Sequence, residues 1–124
     1  MIVGVGIDMI EVARVEMKIN KENGFRESIF SAQEINFCES RTNKFEHYAA
    51  RFAAKEAFLK ATGFGLALGY TLNEIEISND INGKPMLTLS GDFKVQADKH
   101  KWNKLHVSLT HLKDVASAVV IIEQ

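Results

Sequence analysis

The chain has 124 residues, of which 46% are hydrophobic and 25% charged, with a formal net charge of -1 at pH 7. That length supports one domain over residues 1–124 and leaves no room for a second core. The near-neutral charge balance excludes a general nucleic-acid binder, which would be basic. No apolar run approaches the ~20 residues that span a bilayer. A single cysteine, Cys38, excludes an internal disulfide, so the expected location is the reducing cytoplasm. Cys38 itself reads as an unreactive helix-face residue, since the neighbouring Glu39 does not stabilise a thiolate.

The opening stretch, Met1-Ile-Val-Gly-Val-Gly-Ile-Asp8, lacks a basic leader and a small-residue cleavage pattern, so it is not read as a signal peptide. Residues 2–7 are apolar or glycine and predict a short buried strand, with Gly4 and Gly6 permitting close backbone approach and Asp8 at its end. Residues 9–19 predict a short helix with Ile10, Ala13 and Met17 on one side and Glu11, Arg14 and Lys18 on another. Asn23-Gly24 marks a turn, and 25–30 predict a brief helical piece. Ser31-Ala-Gln-Glu34 matches a capping box, which predicts a helix over 32–41 with Ile35 and Cys38 inward.

The longest helix is predicted over 44–62 and closes on Gly63 at a C-cap position. At about 100° per residue, Ala53, Ala54, Ala57, Phe58 and Ala61 form one apolar face and Phe52 and Leu59 a second ridge nearly opposite. An ordinary surface helix has one apolar stripe, so a helix apolar on two sides is expected to run through the middle of the fold. Glu56 falls between the two apolar surfaces, beside Lys60, while Arg51 and Lys55 share another narrow stripe. A carboxylate so placed requires a cation as its partner.

Gly63 to Gly69 holds three glycines and reads as an ordered loop. Residues 72–78 predict a strand, and Asn82-Gly-Lys-Pro85 a tight turn into a second strand over 86–89, giving a hairpin. Ser90 is positioned to cap a polar helix over 91–101. Leu105, Val107 and Leu109 alternate with polar residues as in a half-buried strand, and 116–122 read as a central one. Helices dominate the first half and strands the second, an α+β arrangement of helices packed on a mostly antiparallel sheet.

Two carboxylates far apart in sequence, Asp8 and Glu56, form a candidate site for a hard divalent cation, because Mg²⁺ commonly takes one or two protein carboxylates and completes its shell with water and phosphate. The structural alternative also stands: Asp8 caps the following helix, and Glu56 pairs with Lys60 at i,i+4. Arg51, Lys55 and Lys60 are suited to polyphosphate, or else form a solvated helix flank. His111 at a strand end is a ligand, a base or a turn residue bonded to backbone, whereas His47, His100 and His106 have no distinguishing setting. Arg14, Lys18, Lys21 and Arg26 are interleaved with Glu11, Glu16, Glu22 and Glu27, which by itself describes a mixed surface.

Taken together, Gly4-Val-Gly-Ile-Asp8 with Ile10, Glu11 and Arg14, Phe30-Ser31 with Glu34, Arg51-Phe-Ala-Ala-Lys-Glu-Ala57 with Lys60, Ala61, Gly63 and Gly65, Asn82-Gly-Lys-Pro85, and Val107-Ser-Leu-Thr-His111 resemble the holo-[acyl-carrier-protein] synthases. These are small phosphopantetheinyl transferases, and the resemblance runs in order over nearly the whole chain. It implies transfer of 4′-phosphopantetheine from coenzyme A to a serine of apo acyl carrier protein, with release of adenosine 3′,5′-bisphosphate, in fatty acid biosynthesis. By the same resemblance Asp8 and Glu56 bind Mg²⁺ and act in catalysis with Lys60, the base being Glu56 or a metal-bound water. Arg51, Lys60 and His111 would surround coenzyme A phosphates, with Gly83, Lys84, Pro85 and Thr110 near the nucleotide. Arg14, Lys18, Lys21 and Arg26 would dock the acidic carrier protein. The family forms homotrimers with active sites shared between subunits. Two positions depart from its pattern: Ser28, where arginine is frequent, and Ala50, where glycine is frequent. A magnesium-dependent phosphoester hydrolase and a non-catalytic carrier-binding subunit are the competing readings.

Overall fold

The computed structural model of the chain describes residues 1–64 and 71–124. The expected glycine loop therefore lies mostly outside the described residues, Gly65 included. The element order begins with β1 (Ile2–Glu11), α1 (Val12–Asn20), α2 (Phe25–Ile29), α3 (Ala32–Glu39) and α4 (Lys44–Thr62). After a 3₁₀ turn at Leu72–Glu74 come β2 (Ile75–Asn79), β3 (Pro85–Leu89), α5 (Gly91–His100), β4 (Lys104–His111) and β5 (Val115–Glu123). Among the described residues a three-stranded antiparallel sheet runs β1-β5-β4, and β2 pairs with β3 in a separate antiparallel hairpin. The α+β expectation holds, with β5 at the centre of the larger sheet.

Helix α4 matches its expected bounds, and Gly63 ends it in the left-handed region at φ 74° with its N–H donating to the Lys60 carbonyl. Ala53, Ala54, Ala57 and Phe58 are buried against Ile75, Ile77, Leu87, Val120 and Ile122, so the helix does run through the middle of the fold. Strand β1 crosses it at backbone contact. A Cβ on Gly4 would stand 1.8 Å from the Ala61 carbonyl oxygen, and one on Gly6 1.8 Å from that of Ala57. No residue with a side chain fits either position.

The strand differs from its expectation in two ways. It extends to Glu11, which places Asp8 inside it, and its outward face is uncovered: Ile7 is 65% and Met9 69% exposed. A short apolar run does not distinguish burial on both faces from burial on one, and here glycines supply the packed face. Helix α1 also begins later than expected. The chain turns at Val12, whose N–H donates to the Asp114 carbonyl at 2.9 Å, so Val12 and Val15 face inward while Met17 is 57% exposed and Ile10 remains in β1.

The capping box of α3 is present in both halves, Ser31 Oγ accepting from Glu34 N–H at 3.2 Å and Glu34 Oε1 from Ser31 N–H at 2.9 Å. The helix stops at Glu39, two residues early, with Cys38 buried and its thiol pushed up to about 12, mainly by burial. The expected strand at 72–78 starts only at Ile75, after the 3₁₀ turn. Ser90 precedes α5 as expected, but its hydroxyl does not cap the helix. Glu74 does so, accepting from Phe93 N–H at 3.2 Å through Oε1.

Candidate active site

The two expected carboxylates stand close enough for the charge of one to act on the other. Asp8 lies on β1 and Glu56 on α4, and the Asp8 charge acts on Glu56. The Glu56 carboxyl is held above its usual pKa, first by burial and then by Asp8, with Lys60 and Lys18 opposing. Neither structural alternative describes the pair. Lys60 Nζ donates to Asp8 Oδ1 and to the Ile7 carbonyl, both at 3.0 Å, instead of pairing with Glu56. The residue before α1 is Glu11, so Asp8 is not a cap. Among the described residues none donates a hydrogen bond or an ion pair to the Glu56 carboxylate, and none contributes a third ligand-type side chain. Two carboxylates, one of them without a donor, suit a hard cation that takes its remaining ligands from water and phosphate.

The Arg51–Lys55 stripe is neither a solvated flank nor a phosphate grip along its whole length. Lys55 is fully buried and Arg51 is 2% exposed. Lys55 Nζ donates to Glu34 Oε1 at 2.8 Å, to the Leu72 carbonyl at 3.0 Å and to the Ile75 carbonyl. Glu34 Oε2 accepts from Ile77 N–H at 2.9 Å, so each charge is surrounded by polar partners. Burial lowers the Lys55 pKa, and the Glu34 carboxylate opposes that shift.

Arg51 sits at the floor of a cleft of about 640 Å³ between α3, α4 and the β2–β3 turn. Its Nη2 donates to Asn79 Oδ1 at 2.8 Å, and Asn79 Nδ2 donates to the Gly83 carbonyl at 3.0 Å, which links the arginine to the expected turn. Asp80 Oδ1 pins that turn by accepting from Asn82 and Lys84 N–H at 2.8 and 2.9 Å, and Gly83 takes φ 85°. Pro85 begins β3 opposite Asn79. Phe37, Arg41 and His47 complete the walls around Arg51 and Gly83. His111 approaches from β4, its ring 5.2 Å from that of His47 and its Nδ1 2.9 Å from Glu46 Oε1. Thr110 is the exception: it pairs with Ser117, which pairs with Met9, placing it on the outer face of the sheet away from the cleft.

The sequence reading therefore missed Phe37, Arg41, His47 and Asn79. Only the Asn79-Asp80-Ile-Asn-Gly83 run carried a local signal, as Asx residues preceding a turn glycine. A second hollow, about 470 Å³ beside Glu11, Lys44 and Asp114, contains none of the expected residues. Of the four basic docking candidates, Arg14 and Lys21 are exposed. Lys18 lies over the rings of Phe25 and Phe52, 5.6 and 6.0 Å from their centroids. Arg26 is engaged by Glu27 at 2.7 Å and Glu39 at 3.4 Å.

Residues 4–120 match the 4′-phosphopantetheinyl transferase superfamily. The chain belongs to that superfamily. Within it the likeness is to enzymes of the holo-[acyl-carrier-protein] synthase group. The chain is 44% identical to the holo-[acyl-carrier-protein] synthase of Cytophaga hutchinsonii, over 100% of this chain and 99% of that protein. The crystal structure of the Bacillus anthracis synthase in complex with CoA (3′,5′-ADP) superposes with a TM-score of 0.80 at 37% identity, covering 98% of this chain and 96% of that one. The Neisseria meningitidis synthase reaches a TM-score of 0.89 at 28% identity over 100% of both chains. No helix among the described residues of this superfamily member is long and apolar enough to cross a membrane.

Proposed function

We propose that this chain, as one transferase domain over residues 1–124, moves 4′-phosphopantetheine from coenzyme A to a serine hydroxyl of apo acyl carrier protein. Adenosine 3′,5′-bisphosphate is released, Mg²⁺ is required, and the reaction serves fatty acid biosynthesis in the cytoplasm. The observation that carries the reading is the half-buried Glu56 carboxylate, without a donor among the described residues and crowded by Asp8. The coenzyme A complex of the B. anthracis relative supports the choice of donor substrate.

Asp8 and Glu56 would hold the Mg²⁺, which when bound offsets the charge developing on the leaving pyrophosphate oxygen. Lys60, tied to Asp8 and the Ile7 carbonyl, fixes the aspartate's orientation and offers its half-exposed ammonium to the same phosphates. The proton of the attacking serine would go to Glu56 or to a water held by the cation. Arg51 and Gly83, which line one cleft, take the nucleotide end together with Lys84, Pro85 and His111.

Arg51 and Lys60 are nine residues apart, which is about 180° around the helix and about 13 Å along it. One coenzyme A is therefore unsuited to reach both within one copy, which favours sites shared in a homotrimer. The uncovered apolar row of Val5, Ile7 and Met9 on β1 supplies a contact surface for neighbouring copies, and Thr110 lies on that same face. Arg14, Lys18, Lys21 and Arg26 meet the acidic carrier; Lys18, whose charge reaches Glu56, borders the reaction centre.

Incubation with coenzyme A, Mg²⁺ and an apo carrier protein tests the reading, with mass spectrometry of the carrier as readout. Gain of a phosphopantetheine group is expected. Phosphate release without that gain would establish a hydrolase instead, and carrier binding without modification a non-catalytic subunit.

A further inference from the structure

His47 is not used by the reaction proposed above, although it lines the cleft one helical turn before Arg51. Its ring stands edge-on to Phe37, with centroids 5.4 Å apart. The Arg41 and Arg51 guanidinium carbons lie 4.5 and 4.2 Å from the centroid of that same phenyl ring. The charged groups facing His47 are Arg41 after α3, Arg51 and Glu46 on its own helix, and His111 on β4. Across the cleft Asp80 spends one carboxylate oxygen on the N–H groups of its own turn, and Glu46 directs one of its own to His111. The balance at His47 is therefore cationic, and burial together with His111, Arg51 and Arg41 holds its pKa below the usual histidine range.

A second observation concerns the neighbouring arginine. Arg51 is almost wholly buried, and its Nε has no hydrogen-bond partner among the described residues. An orphaned guanidinium donor and an imidazole whose charged form is disfavoured by burial and by its cationic neighbours are both relieved by the same event, arrival of an anion between them. Resting on the coenzyme A reading, we infer that His47 is a proton-linked phosphate ligand: the cleft takes up a proton at its imidazole when a phosphate-bearing ligand binds, and the imidazolium joins Arg41 and Arg51 as a third cationic donor.

The sign follows from linkage. A histidine whose pKa is higher in the complex than in the free protein strengthens binding at low pH, and the gain is lost as pH rises through the value in the complex. The second ionisation of a phosphomonoester near pH 6 acts in the opposite direction, so a variant must serve as the reference. His47→Phe keeps an aromatic ring against Phe37 and His111 but does not titrate, and His47→Gln provides a second, polar non-titrating side chain.

The experiment is calorimetric titration of coenzyme A into the full-length protein between pH 6 and 8, in pairs of buffers with different ionisation enthalpies. Wild type should take up more protons per coenzyme A than either variant. Across that range its affinity relative to them should fall by about tenfold, the equivalent of one unit of pKa. Equal proton uptake and parallel pH profiles in all three proteins would overturn the role of His47 while leaving coenzyme A binding intact. Failure of wild type to bind coenzyme A would overturn the underlying reading, and this inference with it.

Discussion

Two lysine–carboxylate clusters hang from the same helix and are completed to different degrees. At Lys55 and Glu34 both side chains are fully buried, the burial that disfavours the ammonium is opposed by the Glu34 carboxylate, and backbone groups fill the places the ion pair leaves open. At Lys60 and Asp8 the lysine is 56% and the aspartate 18% exposed, and a second carboxylate stands beside the pair with a raised pKa. The closed cluster ties α4 to α3 and to the start of β2, a structural task. The open one keeps like charges together at a half-exposed position, which costs stability unless a ligand resolves it.

Substitutions can break this contrast. The largest effect is expected for Glu56→Gln, which preserves shape but removes the charge: carrier modification should fall by about 10³-fold, roughly 4 kcal/mol of barrier, with the melting temperature hardly changed. Normal rates across a magnesium titration would disprove the metal assignment. A loss of stability matching that of the closed cluster would make Glu56 structural. For Lys55→Met the expectation is the reverse, a loss of about 3–5 kcal/mol in urea unfolding because Glu34 is left buried without its cation. Adding Glu34→Gln should recover part of that loss, and if it recovers none the two charges are not coupled. The smallest effect concerns the exposed docking surface. Arg14→Glu should raise KM for the carrier by about tenfold, an effect that salt diminishes, while coenzyme A affinity stays unchanged. Equal loss of both affinities would remove Arg14 from docking.

The same contrast explains what the sequence made legible. Signals confined to one turn of chain were readable: the Ser31–Glu34 box, the Gly63 terminus of α4, and the glycines of β1 as points of close approach. Glu56 was legible as a charge in need of a partner because a helix apolar on two sides leaves it few places to go. The choice of Asp8 as that partner came from the resemblance to the synthases. A helical wheel gives the direction of Lys55 but not what lies there. Its partners are Glu34, 21 residues upstream, and the Leu72 and Ile75 carbonyls, 17 and 20 residues downstream, so its burial could not be read locally. In α1 the periodicity allowed two registers, and the contact that selected Val15 over Met17 comes from Asp114, at the far end of the chain. His47 carried no signal because its setting is assembled from Phe37, Arg41 and His111, which lie on other segments.

The contact of β1 with α4 through Gly4 and Gly6 has one more implication. Where most strands stand off a helix by the depth of their side chains, this one rests on the carbonyls of Ala57 and Ala61, so main-chain atoms alone gauge the gap between strand and helix. Compressible groups contribute nothing to that spacing. Asp8, two residues beyond Gly6, and Glu56, one residue before Ala57, thus inherit a separation insulated from repacking elsewhere in the interior.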